Sequence, residues 1–152
     1  MRYFAYGSNM DPAQMEGRCP GAVPLGPARL PGYRIFFRWD SPGWGGGVAD
    51  VQETTGHEVW GVLWDLLPGH EDSLDDYEAV AEGVYGKREV TVEASDGPRG
   101  AYLYIMAPDR AEKPPSQRYL RVLIRGARAH GLPEAYVQEL RALLPDRAGS
   151  PS

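Results

Sequence analysis

The chain reads as an α+β domain, and three observations predict it. An apolar, aromatic opening run, Tyr3-Phe4-Ala5-Tyr6, breaks at Gly7 and feeds a helix start at Asp11-Pro12. Several runs rich in β-branched and aromatic residues follow, with one short acidic helix among them. Two segments with apolar residues at helical spacing then close the chain, so that strands come first and helices gather at the end.

Each element has a local cause. Asp11 caps a helix over residues 11 to 18, with Pro12 in its first position and Gln14 placed to complete a capping box. Gly21, Pro24, Gly26, Pro27, Pro31 and Gly32 punctuate the chain before Tyr33 to Trp39 resume as a strand. Asp40 to Gly46 is a turn-rich loop. Gly47 to Val51 and Glu58 to Leu66 read as two strands of a hairpin, separated by the polar turn Glu53-Thr54-Thr55-Gly56. Pro68-Gly69 closes the second of these. Glu71 to Tyr77 is a short helix with an acidic start, and Glu78 falls at its end. Lys87 to Glu93 and Ala101 to Met106 are the last strands, joined through Asp96-Gly97-Pro98. Beyond Pro114-Pro115-Ser116, Tyr119, Val122, Leu123, Gly126 and Ala127 form the apolar face of a helix from Gln117 to His130, with Gly131 as its stop. Pro133 opens another helix that buries Tyr136, Leu140, Leu143 and Leu144. Residues 1–147 are expected to form one domain and 148–152 a flexible tail.

Composition narrows the function classes. The 152 residues, 42% of them hydrophobic, suffice for one core and not for two domains. Cys19 is the single cysteine, which excludes an internal disulfide and suits a reducing compartment, so a cytoplasmic location is expected. Met1-Arg2 runs straight into the first strand, so no cleavable leader is expected, and no apolar run reaches the length that spans a bilayer. A net charge of −5 and a pI near 5.2 repel phosphate backbones, and the basic residues are scattered apart from Arg118, Arg121, Arg125 and Arg128. Neither nucleic acid nor a membrane is an expected partner.

The candidate chemistry is sparse. A strand that breaks at glycine and enters a helix start leaves N–H groups unpaired and pointing one way, so Gly7-Ser8-Asn9 form a receptor for negative charge. His57, His70 and His130 lack zinc-helix spacing and read as surface residues. Cys19 reads as a packed small residue, Gly45-Gly46-Gly47 as a site of close backbone approach or a bend, and Trp39, Trp44, Trp60 and Trp64 as core. Glu71, Asp72, Asp75 and Asp76 form a solvated helix face. Glu78 differs, because Ala79-Val80-Ala81 follows it and can carry it inward. A buried carboxylate near Asp75 has its proton affinity raised by desolvation and by like charge, which makes it a proton shuttle near neutrality.

Together, Tyr3-Phe4-Ala5-Tyr6-Gly7-Ser8-Asn9, Gly46-Gly47-Val48-Ala49, Glu58-Val59-Trp60-Gly61-Val62 and Leu74-Asp75-Asp76-Tyr77-Glu78 resemble the γ-glutamylcyclotransferase family over nearly the whole chain. Pro114-Pro115-Ser116, Tyr119, Gly126-Ala127 and Gly131-Leu132-Pro133 extend the resemblance toward the animal-type enzymes. It implies a small mixed β-barrel with surrounding helices, and a reaction in which the α-amine of a γ-glutamyl group attacks its own γ-carbonyl to give 5-oxoproline and a free amine or amino acid, with no cofactor and no metal. It further implies Glu78 as the catalytic carboxylate. Tyr3, Phe4, Ala5, Tyr6, Gly7 and Ser8 would form the glutamyl-binding loop, with Tyr119 reaching it from the first C-terminal helix. Tyr85 matches a family aromatic that serves as wall or filler, and Asn9 is expected to stabilise the turn. Ala79 stands where many relatives have glycine, so a positive φ there would strain the chain.

The implied partner is a small γ-glutamyl molecule, and a homodimer stays open. A γ-glutamylamine cyclotransferase and a non-catalytic binding module on the same fold are the alternatives, and neither the leaving group nor the use of glutathione is legible.

Overall fold

A computed structural model describes residues 1–107 and 109–144, so the tail expected over 148–152 lies outside the described residues. Five strands close into one barrel: β1 (Arg2–Ala5), β2 (Val23–Ser41), β3 (Gly46–Asp65), β4 (Tyr85–Ala94) and β5 (Gly97–Met106), in the order β1-β3-β2-β4-β5. The barrel is mixed. β1 runs antiparallel to β3 from Arg2↔Asp65 to Ala5↔Val62, and parallel to β5 at Tyr3↔Tyr102. Four helices surround it: α1 (Pro12–Arg18), α2 (His70–Tyr77), α3 (Gln117–Ala129) and α4 (Glu134–Arg141). Phe4, Leu30, Val59, Leu63 and Leu103 are among the fully buried side chains at its centre. No helix among the described residues is long and apolar enough to cross a membrane.

The main departure from the sequence reading is the long β2–β3 hairpin. From Val23 on, the proline- and glycine-punctuated stretch before Tyr33 is strand, not loop, because bulges absorb the residues that cannot pair. Pairing with β3 slips between Pro24 and Gly26, between Pro31 and Tyr33, and between Arg38 and Asp40. The skipped residues at the last two slips, Gly32 and Trp39, both have positive φ (80° and 62°). Likewise, Gly47–Val51 and Glu58–Leu66 do not pair with each other. Both are halves of β3 and take their partners from β2, with 54–57 left as an excursion between Tyr33↔Glu53 and Pro31↔Glu58.

The helix signals hold with two adjustments. Asp11 accepts from the Gln14 N–H at 3.1 Å as an N-cap, but the Gln14 side chain turns away to Ser8 and Asn9 instead of closing a capping box. α3 is capped by Ser116 and ends in a Schellman motif, with Leu132 N–H on Ala127 O at 3.0 Å and Gly131 at φ 72°. On α4, Tyr136 and Leu140 are buried while Leu143 is 48% exposed, because the helix stops at Arg141 before Leu143 can turn inward.

His70 is buried, not a surface residue. Its Nδ1 accepts from Leu67 N–H at 3.0 Å, and its Nε2 lies 2.9 Å from Pro20 O, which joins α2 to the chain after α1. Cys19 is packed and free, as its isolation suggested. The glycine run is a close approach: a Cβ at Gly47 would sit 2.1 Å from Lys113 O, and one at Gly46 would sit 2.8 Å from Pro114 O.

Candidate active site

β1 ends at Ala5, and after Gly7 the chain coils into a 3₁₀ turn over Ser8–Met10, closed by Met10 N–H on Gly7 O at 3.1 Å. α3 fixes this turn from behind. A Cβ at Gly126 would meet Met10 C and Asp11 N at 2.6 Å, so only glycine lets the helix approach this closely. Arg125 adds a two-pronged bond to the Asp11 carboxylate, at 2.7 and 3.1 Å. The Gly7 and Ser8 N–H groups are not taken up by any acceptor among the described residues.

Glu78 is placed by the end of α2. Its N–H bonds to Leu74 O at 2.8 Å, Ala79 N–H to Asp76 O at 3.1 Å, and Val80 N–H to Asp75 O at 3.0 Å. This is a Schellman motif with Ala79 in the left-handed position, φ 52°, that glycine ordinarily fills. The side chain of Glu78 is 17% exposed and meets the opening turn directly, where Asn9 Nδ2 donates to its Oε1 at 3.3 Å and to Tyr3 Oη at 2.9 Å. Burial pushes the Glu78 carboxyl up to about 7, against the opposing pull of Arg18 and of the Asn9 hydrogen bond. The like charge of Asp75, expected to contribute, does not. Asp75 is occupied by Tyr104 Oη at 2.7 Å and Lys87 Nζ at 3.0 Å.

Glu78 and the turn share one cleft of about 250 Å³, slightly under the usual range for a drug-sized ligand site and suited to a small molecule. Tyr3, Tyr6, Gly7, Ser8 and Tyr119 line it, whereas Phe4 and Ala5 do not. Phe4 is fully buried and packs against Gly61, because strand alternation turns it away from its neighbours. Tyr119 Oη accepts from Ala49 N–H at 2.8 Å, and Tyr85 Oη donates to Ala49 O at 2.6 Å, so two tyrosines clamp the backbone of one residue of β3. Burial raises the hydroxyls of Tyr3, Tyr6, Tyr85 and Tyr119, leaving all four neutral donors and acceptors, not bases.

Several lining residues escaped the sequence reading. Trp39 and Trp44 are only partly buried and form cleft wall, with Trp44 packed edge-on to Tyr119 at 5.0 Å. Arg18, Tyr77 and Tyr104 also line the cleft. For Arg18 the available signal was its spacing from Gln14 on the short helix α1, four residues apart and so on one face beside Asn9 of the preceding turn. Among the described residues no group of three or more His, Cys, Asp or Glu side chains converges as a metal-ligand set. The arrangement offers one carboxylate of near-neutral proton affinity beside unpaired N–H groups, which equips it for proton transfer next to a developing oxyanion.

A model of the AIG2-like family matches residues 58–140. The γ-glutamylcyclotransferase of Mus musculus is 35% identical over 148 residues, covering 95% of this chain and 79% of the mouse protein. The Homo sapiens enzyme of the same name is 34% identical over 149 residues, with the same shares covered. A solved structure of a γ-glutamyl cyclotransferase superposes with a TM-score of 0.92 at 34% identity, over 97% of this chain and 89% of that one.

Proposed function

The chain belongs to the γ-glutamylcyclotransferases of the AIG2-like family, and from that membership we propose that its cleft converts γ-glutamyl amino acids to 5-oxoproline with Glu78 as the proton carrier. The observation that carries this reading is the meeting of the buried Glu78 carboxylate with the Gly7-Ser8 turn in one cleft.

The α-ammonium of the substrate must lose a proton before its nitrogen can attack, and Glu78, ionised in part near neutrality, accepts it. The nitrogen then bonds to the γ-carbonyl carbon, and the negative oxygen of the tetrahedral adduct is received by the N–H groups of Gly7 and Ser8. Glu78 returns its proton to the departing nitrogen, the old C–N bond breaks, and the ring nitrogen gives up its second proton by way of Glu78 to the released amine, leaving the neutral five-membered lactam. The atoms balance without water, so a cleft that excludes water protects the reaction from hydrolysis. Attack is intramolecular, and the main demand on the protein is to hold the glutamyl chain folded. Tyr3, Tyr6 and Tyr119 line the cleft and supply the walls for that, and Trp39 and Trp44, which line it too, are assigned to the departing amino acid.

The test is release of 5-oxoproline from γ-glutamyl-alanine by the purified protein. Glu78→Gln, close in shape but unable to take a proton, is expected to lower kcat by about a hundredfold or more. Activity surviving that substitution refutes the assignment of Glu78, and no turnover of any γ-glutamyl compound favours a binding module.

A further inference from the structure

We propose that Arg18 is a positioning residue for the Glu78 carboxylate, acting together with Asn9; the inference rests on Glu78 being the proton carrier. Arg18 Nη1 donates to Asn9 Oδ1 at 3.0 Å and stands 3.8 Å from Glu78 Oε1. Gln14 Nε2 donates to the same Asn9 Oδ1 at 3.0 Å. Two donors converging on Oδ1 leave the amide only its NH₂ to turn toward Glu78, and this is the bond observed. The guanidinium is held from its other side by the ring of Tyr77, 4.5 Å away, the residue that precedes Glu78.

Charge makes the placement consequential. Among the described residues lining the cleft, Arg18 is the one cation and Glu78 the one carboxylate, and their side chains are 18% and 17% exposed. The other titratable groups facing Glu78 are Tyr3 from β1, Tyr6 beside the turn, Tyr85 from β4 and Tyr119 from α3, all kept neutral by burial. Arg18 alone therefore opposes desolvation with a charge. Its distance also suits a group that must alternate between two states. A close two-pronged pair would hold Glu78 permanently ionised and make it a poor base, whereas a guanidinium at 3.8 Å favours the anion without hydrogen-bonding to it.

The experiment compares wild type, Arg18→Met, Arg18→Gln and Arg18→Lys. The readouts are the pH dependence of kcat/KM on γ-glutamyl-alanine and a ¹³C NMR titration of the Glu78 carboxyl in the substrate-free full chain. In both neutral variants the acid limb and the NMR midpoint are expected to rise together by about one pH unit, a roughly tenfold loss of kcat/KM on the acid side. Arg18→Lys should restore most of the midpoint, since it returns the charge. Arg18→Gln serves if Arg18→Met does not fold. An unmoved midpoint in the neutral variants overturns the proposal, including the case where KM alone rises and Arg18 proves to be a substrate receptor. Failure of the underlying reading looks different, because Glu78→Gln would then stay active while the NMR titration still reports whether Arg18 governs the carboxylate.

Discussion

At the scale of single residues, the site is costly to the fold, and Glu78 shows how. Its carboxyl is raised from an ordinary 4.5 to about 7, so the folded protein holds this proton more tightly than the unfolded chain does. The sign follows by linkage. Glu78 costs nothing below its ordinary value, and its cost grows as pH rises from there and is complete above about 7. Glu78→Gln should therefore unfold at higher urea than wild type above about pH 8, by up to about 3 kcal/mol, with the difference vanishing in acid. Equal stability at both ends of the range would show that the carboxylate is not desolvated. Ala79 adds a second local strain, at φ 52°. Ala79→Gly should stabilise the protein by about 1 kcal/mol, measured by urea denaturation, because glycine adopts the left-handed position without a Cβ penalty. Glu78 was legible because an apolar run follows an acidic helix, but the partner that tunes it was not. Arg18 lies 60 positions away in sequence, and nothing local distinguishes it from a solvated arginine at a helix end.

At the scale of elements, the helices were readable and the long strands were not. Caps and stops act over three or four residues, so Asp11 and Gly131 announce themselves. Bulged strands follow no local rule: Gly26, Gly32 and 54–57 look like breaks until the partner strand is known. The tryptophans show the same limit. Trp39 occupies a bulge and is turned toward the cleft, which strand alternation alone would not predict. Docking of α3 beneath the opening turn is the element contact on which the site depends. Gly126→Ala should cost about 1–3 kcal/mol through overpacking against Met10 and Asp11 and should reduce activity further than stability, because the Gly7-Ser8 turn must move. Urea melts and 5-oxoproline release, measured on the same preparation, separate the two effects.

At the scale of the whole molecule, barrel closure assembles the cleft from the opening turn, the β2–β3 loop, the end of α2, β4, β5 and α3. A buried ion pair helps to hold three of the strands in register: Arg38 of β2 lies 3.1 Å from Asp50 of β3, which also accepts Met106 N–H of β5 at 3.0 Å. Asp50→Ala should destabilise the fold by about 3–5 kcal/mol in equilibrium denaturation, since it removes the buried carboxylate that lies 3.1 Å from the Arg38 guanidinium. A loss below about 1 kcal/mol would mean that the pair does not tie the strands. By itself, the sequence determined the fold class, the helix positions, the opening turn and the identity of the inward carboxylate, since each is written in contiguous residues through capping, periodicity and composition. Only the tertiary structure decided that β2 and β3 are continuous, that Trp39 and Trp44 wall the cleft while Phe4 and Ala5 do not, and that Arg18, not Asp75, sets the charge beside Glu78. Those depend on which distant residues the closed barrel brings within a few ångströms, and the short-range forces that tune a buried carboxylate leave no trace in linear order.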